Sequence, residues 1–386
     1  MREPAVAIAG CGAISAAGRG VNALRDALRA NISGLRACEW FDSPRFQSKM
    51  VGAIPQVEKV GESDNPVWQL ATTALTEARD SASDILKKIP AERIGLALST
   101  TKANIIALER LAENRTCSEK TKRHLQGNLL ATDLATEFGA RGPVQCVCVA
   151  CISGLVALQQ GAKMIQRGEA DAVLVAGVDC LSAFVMAGFT ALKALDPNGC
   201  QPFDRNRCGL SPGEAGAAIV LVRGELISSP KIILRGLGVS NDANHLTGPS
   251  RDGSGLAQAI RVALNSAQLS PQQIDYVNAH GTGTPYNDAM ESLALQTIFG
   301  EACPPFSGAK GMLGHTLGAA GVLETILCAL ALRENFLPGT PRLNSVADGV
   351  PASIVLEPKF SAQLKNVLKL NTGFGGVNGA LILSHE

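Results

Sequence analysis

The chain has 386 residues, 46% of them hydrophobic, and its 35 basic and 34 acidic residues leave a formal net charge of +1. That length allows two or three domain-sized units, and a balanced charge without any basic run excludes nucleic acid as a partner, because a nucleic-acid binder needs a cationic stripe to displace counterions. Eleven cysteines, an odd number at uneven spacing, argue against a secreted disulfide framework and for a reducing, cytoplasmic setting in which most cysteines are small buried apolar residues.

The first segment, 5-AVAIAG-10, reads as a β-strand running into a glycine turn. A lipoprotein signal ending at Cys11 is the rival, but the apolar run is short and Arg2 stands beside Glu3. Helices are predicted over 20–31 and 67–83, a strand over 93–100, and a helix over 122–138. The apolar, β-branched run 144-VQCVCVA-150 is read as a strand, followed by a helix from 151 to 167 and buried strands over 171–179 and 216–223. After a break at 224–231 the pattern restarts. A strand spans 232–240, helices span 254–268, 287–299 and 316–334, and strands lie at 274–279, near 353–357, and at 366–371 and 379–384. Alternation of this kind implies βαβ units and mostly parallel sheets. Two similar rounds suggest a duplicated α/β layout, with halves at 1–228 and 229–386. No membrane span is expected: the most apolar long stretch, 316–332, is interrupted by Glu324.

The stretch 143-PVQCVCVACISGLVALQQGA-162 places Cys146, Cys148 and Cys151 within six residues. Zinc would need about four ligands, and no second CxxC-like pair exists. A redox CxxC should open a helix rather than close a strand. On a strand, Cys146 and Cys148 share one face and are expected deep in the sheet. Cys151 falls at the strand-to-helix turn. There the free N–H groups and the positive end of the helix dipole favour thiolate, at the strand end where α/β sheets bind ligands. Cys151 is therefore a candidate nucleophile.

Of five histidines, two stand in glycine-rich junctions, His280 in 278-NAHGTGTPYND-288 and His315 in 307-SGAKGMLGHTLGAAGVLE-324. A hydrogen-bonded core histidine is the plain alternative for either alone; two such junctions beside a third that carries Cys151 are harder to dismiss. The segments 149-VACISGLVAL-158, 278-NAHGTGTP-285, 310-KGMLGHTLGAAG-321 and 373-GFGGVNGA-380 resemble the signature segments of the β-ketoacyl synthases, the condensing enzymes of fatty-acid and polyketide assembly. The stretches 202-PFDRNRCGLSPGEAGAAIVL-221 and 242-DANHLTGPSRDGSG-255 resemble that family too, all in order over essentially the whole chain.

The resemblance implies the thiolase fold, two duplicated βαβαβαββ halves in five layers, and a dimer with itself or with a homologous subunit. It implies that Cys151 takes an acyl chain from the phosphopantetheine arm of an acyl carrier protein, the oxyanion being held by the amides of Cys151 and Phe374. His280 and His315 would donate from Nε2 to the thioester oxygen of a decarboxylating malonyl group. The pair, rather than one histidine with an asparagine, points to the elongating subtype. Lys310 would tune the field at His315, and Glu324 would organise the site; their plain readings are a surface lysine and a structural ion pair. Thr282, Thr284 and Gly375 would bind the substrate, although the threonines also suit simple turns. Phe374 matches a gate, and Asp288 a structural acid. His245 is given no catalytic role, and Asp204 with Arg207 is read as a structural salt link. Neither cofactor nor metal is expected beyond the carrier-borne substrates.

Three departures stand out. The chain reads 371-NTGFGGV-377 where many members read NSFGFGG, 98-LSTTKANIIALER-110 replaces a glycine-rich run that shapes the acyl pocket in relatives, and the chain is rather short. Together they suggest a specialised pathway. The rivals are a non-catalytic partner subunit, which usually lacks the cysteine, and an acyltransferase or thioester hydrolase, which would not need the histidine pair.

Overall fold

In a computed structural model, residues 4–55, 65–228 and 231–386 are described. The Arg2–Glu3 flank of the lipoprotein reading and positions 229–230 of the break lie outside the described residues. Five strands build one sheet: β1 (Val6–Ser15), β2 (Ile94–Ser99), β3 (Val144–Val147), β4 (Ala172–Asp179) and β5 (Ala215–Arg223). Five more build a second: β6 (Ile232–Asn241), β7 (Tyr276–Ala279), β8 (Phe306–Gly308), β9 (Asn366–Gly373) and β10 (Val377–His385). The order is β3-β2-β4-β5-β1 in the first and β8-β7-β9-β10-β6 in the second. Numbering strands from the start of each half, both orders are the same, third-second-fourth-fifth-first. In both, the first two pairings are parallel and the last two antiparallel. Among the described residues, the sheets meet edge to edge at a single pairing, Ala7 with Ile233.

The larger helices are α1 (Val21–Arg29), α2 (Pro66–Ser81), α3 (Ile105–Ala112), α4 (Gly127–Glu137), α5 (Ser153–Gln166), α6 (Ala183–Ala191), α7 (Ser254–Ala267), α8 (Pro285–Phe299) and α10 (Ala320–Glu334), with the single turn α9 (Lys310–Leu313) between the last two. Three apolar clusters give the layering. One packs α2 and α4 on the outside of the first sheet, one packs α7 and α8 on the outside of the second, and the largest holds α5 and α10 with residues of both sheets. A helix sandwiched between two sheets must be apolar all round, and α10 is buried from Ala320 to Leu332, Glu324 included. The helices α5 and α10 touch at glycines: a Cβ on Gly154 would lie 2.7 Å from Val322 N and 2.8 Å from Gly321 Cα. That contact sets the start of α5, and with it the height of Cys151.

Several expectations change. The strand at 144–150 stops at Val147 and is the outer edge of its sheet, so Cys148 is exposed and Cys146 only half-buried rather than deep in the core. No strand covers 353–357; Ile354 makes one isolated bridge to Phe306, and the short pair Phe336–Leu337 with Lys359–Phe360 stands nearby. Strand β8 and helices α3 and α6 were not anticipated.

Candidate active site

Cys151, His280 and His315 line one cavity of about 440 Å³, together with Thr282, Thr284, Asn287, Phe189, His245 and Phe374. Cys151 and His280 reach it from the turns that follow strands, and His315 from the loop after α9. Beyond β3 the chain turns sharply, with Ala150 at φ 44°, a left-handed conformation that a non-glycine residue adopts only when its surroundings impose it. Ser153 imposes it here: its hydroxyl accepts the Val149 N–H at 2.8 Å and donates to the Ala150 carbonyl at 2.6 Å. Cys151 lies at the foot of α5, buried.

Burial dominates the Cys151 thiol and pushes it up to about 11, although Lys310 and the Phe374 amide pull the other way. Loss of solvation thus works against the thiolate that the helix start is expected to favour. The Phe374 amide reaches the sulfur from the β9–β10 turn. A Cβ on Gly373 would stand 3.1 Å from Cys151 N and 3.3 Å from Ala150 Cβ, so a side chain here would press the turn a few tenths of an ångström away from Cys151. Phe374 is partly exposed and packs against Phe189 with ring centroids 6.0 Å apart.

His280 follows β7, and its backbone is held from α8. Glu291 accepts the N–H of His280 at 2.6 Å and of Gly281 at 2.7 Å. Burial, then the neighbouring Asp288, push Glu291 up to about 7. The side chain is fixed from behind: Nδ1 receives Lys310 Nζ at 3.1 Å and Asn371 Nδ2 at 3.0 Å. Both partners donate, so Nδ1 is the acceptor and the imidazole proton sits on Nε2. His315 Nδ1 faces the Leu317 N–H at 3.4 Å, the same arrangement. Its main chain is pinned by Ser211 and Gly213 at 2.7 and 2.9 Å. The two rings stand edge to face, 5.1 Å apart. Burial, then Lys310, hold both imidazoles neutral: His280 falls well below its ordinary value and His315 falls to about 3.

Lys310 and Glu324 stand behind the histidines, away from the cavity wall, as a fully buried ion pair of 2.7 Å. Lys310 also donates to the His280 carbonyl. Its direct contact is thus His280 rather than the expected His315, which it reaches only through its field. Thr282 and Thr284 share a hydroxyl–hydroxyl bond of 2.8 Å at the wall. Gly375 stands apart: its N–H donates to the Leu246 carbonyl at 2.7 Å, and it does not line the cavity. Asp204 and Arg207 do not form the expected salt link. The Asp204 carboxylate takes the N–H groups of Asn206, Asn344 and Ser345, each at 2.8 Å, while Arg207 donates to the Asp204 carbonyl and faces Asp288 at 3.8 Å. Asp288 takes the N–H of Phe203 at 2.7 Å and of Gly283 at 3.2 Å.

Sequence reasoning missed Asn371, Lys369, Glu291 and Asp179. Asp179, fully buried at the end of β4, accepts from Thr101 N and Oγ1 at 3.1 and 2.7 Å and from Gly318 N at 2.7 Å, with Lys102 at 3.0 Å. It ties the first sheet to the His315 loop. Asn371 could have been found as part of the NTGFGG motif; the others carry no local signal. Among the described residues no group of three or more His, Cys, Asp or Glu could hold a metal, and no helix is long and apolar enough to cross a membrane.

A duplicated five-layer sandwich that brings Cys151 and the two neutral imidazoles of His280 and His315 to a common cavity defines a thiolase-fold acyl-transfer enzyme class. Comparison makes the assignment specific. Residues 3–226 match the β-ketoacyl synthase N-terminal domain and residues 232–344 the C-terminal domain; the chain belongs to the β-ketoacyl synthase family. It is similar to the tetracenomycin polyketide synthase ketoacyl synthase alpha subunit of Streptomyces glaucescens, 32% identical over 99% of this chain and 97% of the relative. It is also similar to the 3-oxoacyl-[acyl-carrier-protein] synthase 2 of Vibrio cholerae, 31% identical over 99% of both. Among solved structures, the ishigamide ketosynthase/chain length factor superposes with a TM-score of 0.90 at 30% identity over 100% of both chains.

Proposed function

We propose that this protein is an elongating 3-oxoacyl-acyl carrier protein synthase, with Cys151 as nucleophile and His280 and His315 as the catalytic donors. The observation that carries this reading is the pairing, around one cavity, of a buried thiol with two imidazoles whose Nδ1 atoms both face donors, which leaves both protons on Nε2. Neutral imidazoles of that tautomer cannot act as bases at Nε2. They can only donate there, which is what a developing enolate oxygen needs.

In the first half-reaction Cys151 sulfur attacks the acyl thioester, and the C–S bond to pantetheine breaks. The Cys151 proton ends on the departing pantetheine sulfur. The amides of Cys151 and Phe374 hold the oxyanion. In the second, the carboxylate carbon of the malonyl group leaves as CO2, and its bonding pair becomes the enolate held by His280 and His315. The α-carbon attacks the acyl–Cys151 carbonyl, the C–S bond breaks, and the Cys151 thiolate is reprotonated by solvent. Thr282 and Thr284 line the pantetheine path, and Phe374 gates it. Lys310 and Glu324 position His280 rather than touch substrate. The substrates ride on the phosphopantetheine of an acyl carrier protein, and no separate cofactor is needed.

We divide the chain into a half carrying the nucleophile, 1–228, and a half carrying both histidines, 229–386. A second copy or a homologous subunit pairs with it; the outer edge of β3, to which no strand among the described residues pairs, and the exposed apolar Leu108 on α3 and Phe184 on α6 support an interface there. The polyketide relative is an alpha subunit and the ishigamide structure carries a chain length factor, which favours a homologous partner and polyketide or polyene assembly over housekeeping fatty-acid synthesis. The cysteine content supports a cytoplasmic setting. The test is intact-protein mass spectrometry after incubation with a panel of acyl-carrier proteins, wild type beside Cys151→Ala. One acyl adduct on the wild type alone supports the reading; an adduct that persists in Cys151→Ala moves the nucleophile elsewhere.

A further inference from the structure

Strand β9 presents Val367, Lys369 and Asn371 to α10, while Leu368 and Leu370 face the outer cluster. Lys369 is therefore a lysine at a core position, fully buried. Its ammonium stands 2.7 Å from Glu324 Oε2 and donates to the Leu370 carbonyl. The other oxygen of Glu324 holds Lys310 at 2.7 Å, and Lys310 holds His280 Nδ1. Asn371, two residues along, donates both to His280 Nδ1 and, at 3.4 Å, to Glu324 Oε2. One carboxylate thus serves two buried ammonium groups, and it can neutralise only one of them.

Packing alone does not call for such an arrangement. Buried charge is expensive to desolvate, and an apolar side chain of similar volume usually serves the fold as well or better. The position of the surplus charge gives it a use. We infer that Lys369 is a positioning residue for decarboxylation: it clamps Glu324 so that Lys310 and Asn371 stay on His280 Nδ1, and it adds a second positive charge behind that imidazole. This rests on the reading that His280 donates to the thioester oxygen.

The clamp acts in two ways. With both oxygens of Glu324 occupied, the carboxylate cannot rotate toward His280 and attract a proton onto Nδ1. The surplus charge also opposes protonation of the ring. The groups facing His280 are Lys310 from α9, Glu324 from α10, Lys369 and Asn371 from β9, His315 across the cavity, and Glu291 on its backbone from α8. Burial lowers His280 most, and Lys310, His315 and Lys369 add to it. A protonated His280 would turn Nδ1 into a donor facing two donors and break the arrangement.

The experiment compares wild type with Lys369→Met, which keeps length and removes charge, Lys369→Gln, which keeps a donor for the Leu370 carbonyl, and Lys369→Arg. Two half-reactions are timed separately: acyl transfer to Cys151 by mass spectrometry, and CO2 release from malonyl-acyl carrier protein. Lys369→Met and Lys369→Gln are expected to lose at least ten times more of the kcat for CO2 release than of acyl transfer, with little change in KM. The acid limb of the CO2-release profile should move to higher pH by about a unit, and Lys369→Arg should restore most of both. Equal losses in both half-reactions, or an unmoved acid limb, would overturn the inference. Imidazole nitrogen NMR shifts of His280 give the answer without turnover. The wild type should stay neutral and Nε2-protonated from pH 7 to pH 5, whereas Lys369→Met should titrate in that range; identical titrations would also overturn it. A wild type that takes up acyl groups but releases no CO2 would instead sink the underlying functional reading.

Discussion

Glu324→Gln is the sharpest perturbation of the buried charge cluster. In the wild type its carboxylate bonds two fully buried ammonium groups, Lys310 and Lys369, at 2.7 Å each. The amide removes the countercharge and changes the shape very little. Removing one partner of a buried pair costs about 3–5 kcal/mol. An independent limit agrees: a stranded lysine escapes by losing its proton at pH 7, about three and a half units below its ordinary value, which costs about 5 kcal/mol. With an unfolding entropy of roughly 2.1 cal/mol/K per residue over 386 residues, that is a drop in Tm of about 4–6 °C. The assay is thermal unfolding followed by circular dichroism at one protein concentration from pH 7 to pH 10. In the variant the lysines have folded-state pKa values below the unfolded value, so the unfolded chain binds more protons and stability rises with pH until about 10.4. The deficit should therefore shrink as pH rises. Adding Lys369→Met to Glu324→Gln should restore part of the loss at pH 7. A deficit under about 1 kcal/mol that does not vary with pH would refute the two-ammonium arrangement.

Three further outcomes are expected. Because burial holds the Cys151 thiol at about 11, its alkylation by iodoacetamide should rise about tenfold per pH unit from 7 to 10; a plateau near pH 7 would show a preformed thiolate. His315, at about 3 in the folded protein, takes up its proton in the unfolded chain near 6.5. It therefore favours the folded state above 6.5 and loses about 1.4 kcal/mol of that contribution per pH unit down to about 3; His315→Asn should flatten this acid slope in urea titrations. Gly154→Ala sets a Cβ 2.7 Å from Val322 N, which should cost about 1–3 kcal/mol and slow acylation of Cys151 by displacing the start of α5, read by urea unfolding and adduct formation.

Much of this site was legible in the sequence because its cavity residues sit at chain reversals. Cys151, His280 and His315 each end a strand or open a helix, and glycine, alanine and serine around them mark close approach. The repeated alternation of strands and helices likewise carried the duplicated layout. What the sequence hid were relations between distant segments. The run 144-VQCVCVA-150 has the composition of a buried strand, but only the sheet order reveals that no strand among the described residues pairs with its outer edge. Helices α3 and α6 are short and keep apolar residues such as Leu108 and Phe184 exposed, and α6 lacks the one-sided pattern that marks a surface helix. In 366-NVLKLN-371 a lysine between two leucines reads as the solvent face of an alternating strand. Its burial follows from α10 crossing β9 with Glu324 aimed at it. Glu291, too, is an ordinary helical glutamate until α8 is laid beside the His280 turn.

The central claim is that one cavity loads an acyl group on Cys151 and then extends it by decarboxylation at His280 and His315. The most direct measurement follows an acyl–Cys151 protein given malonyl-acyl carrier protein, with CO2, free carrier and carrier-bound products quantified together for wild type, His280→Ala and His315→Ala. The account predicts one CO2 and one 3-oxoacyl-carrier product, two carbons longer, per acyl group lost from the wild type, with both variants still loading Cys151 and losing at least a hundredfold in CO2 release. Loss of the acyl group to water or to free carrier without CO2, at the same rate whether or not malonyl-acyl carrier protein is present, would contradict it and mark the protein as a transferase or hydrolase.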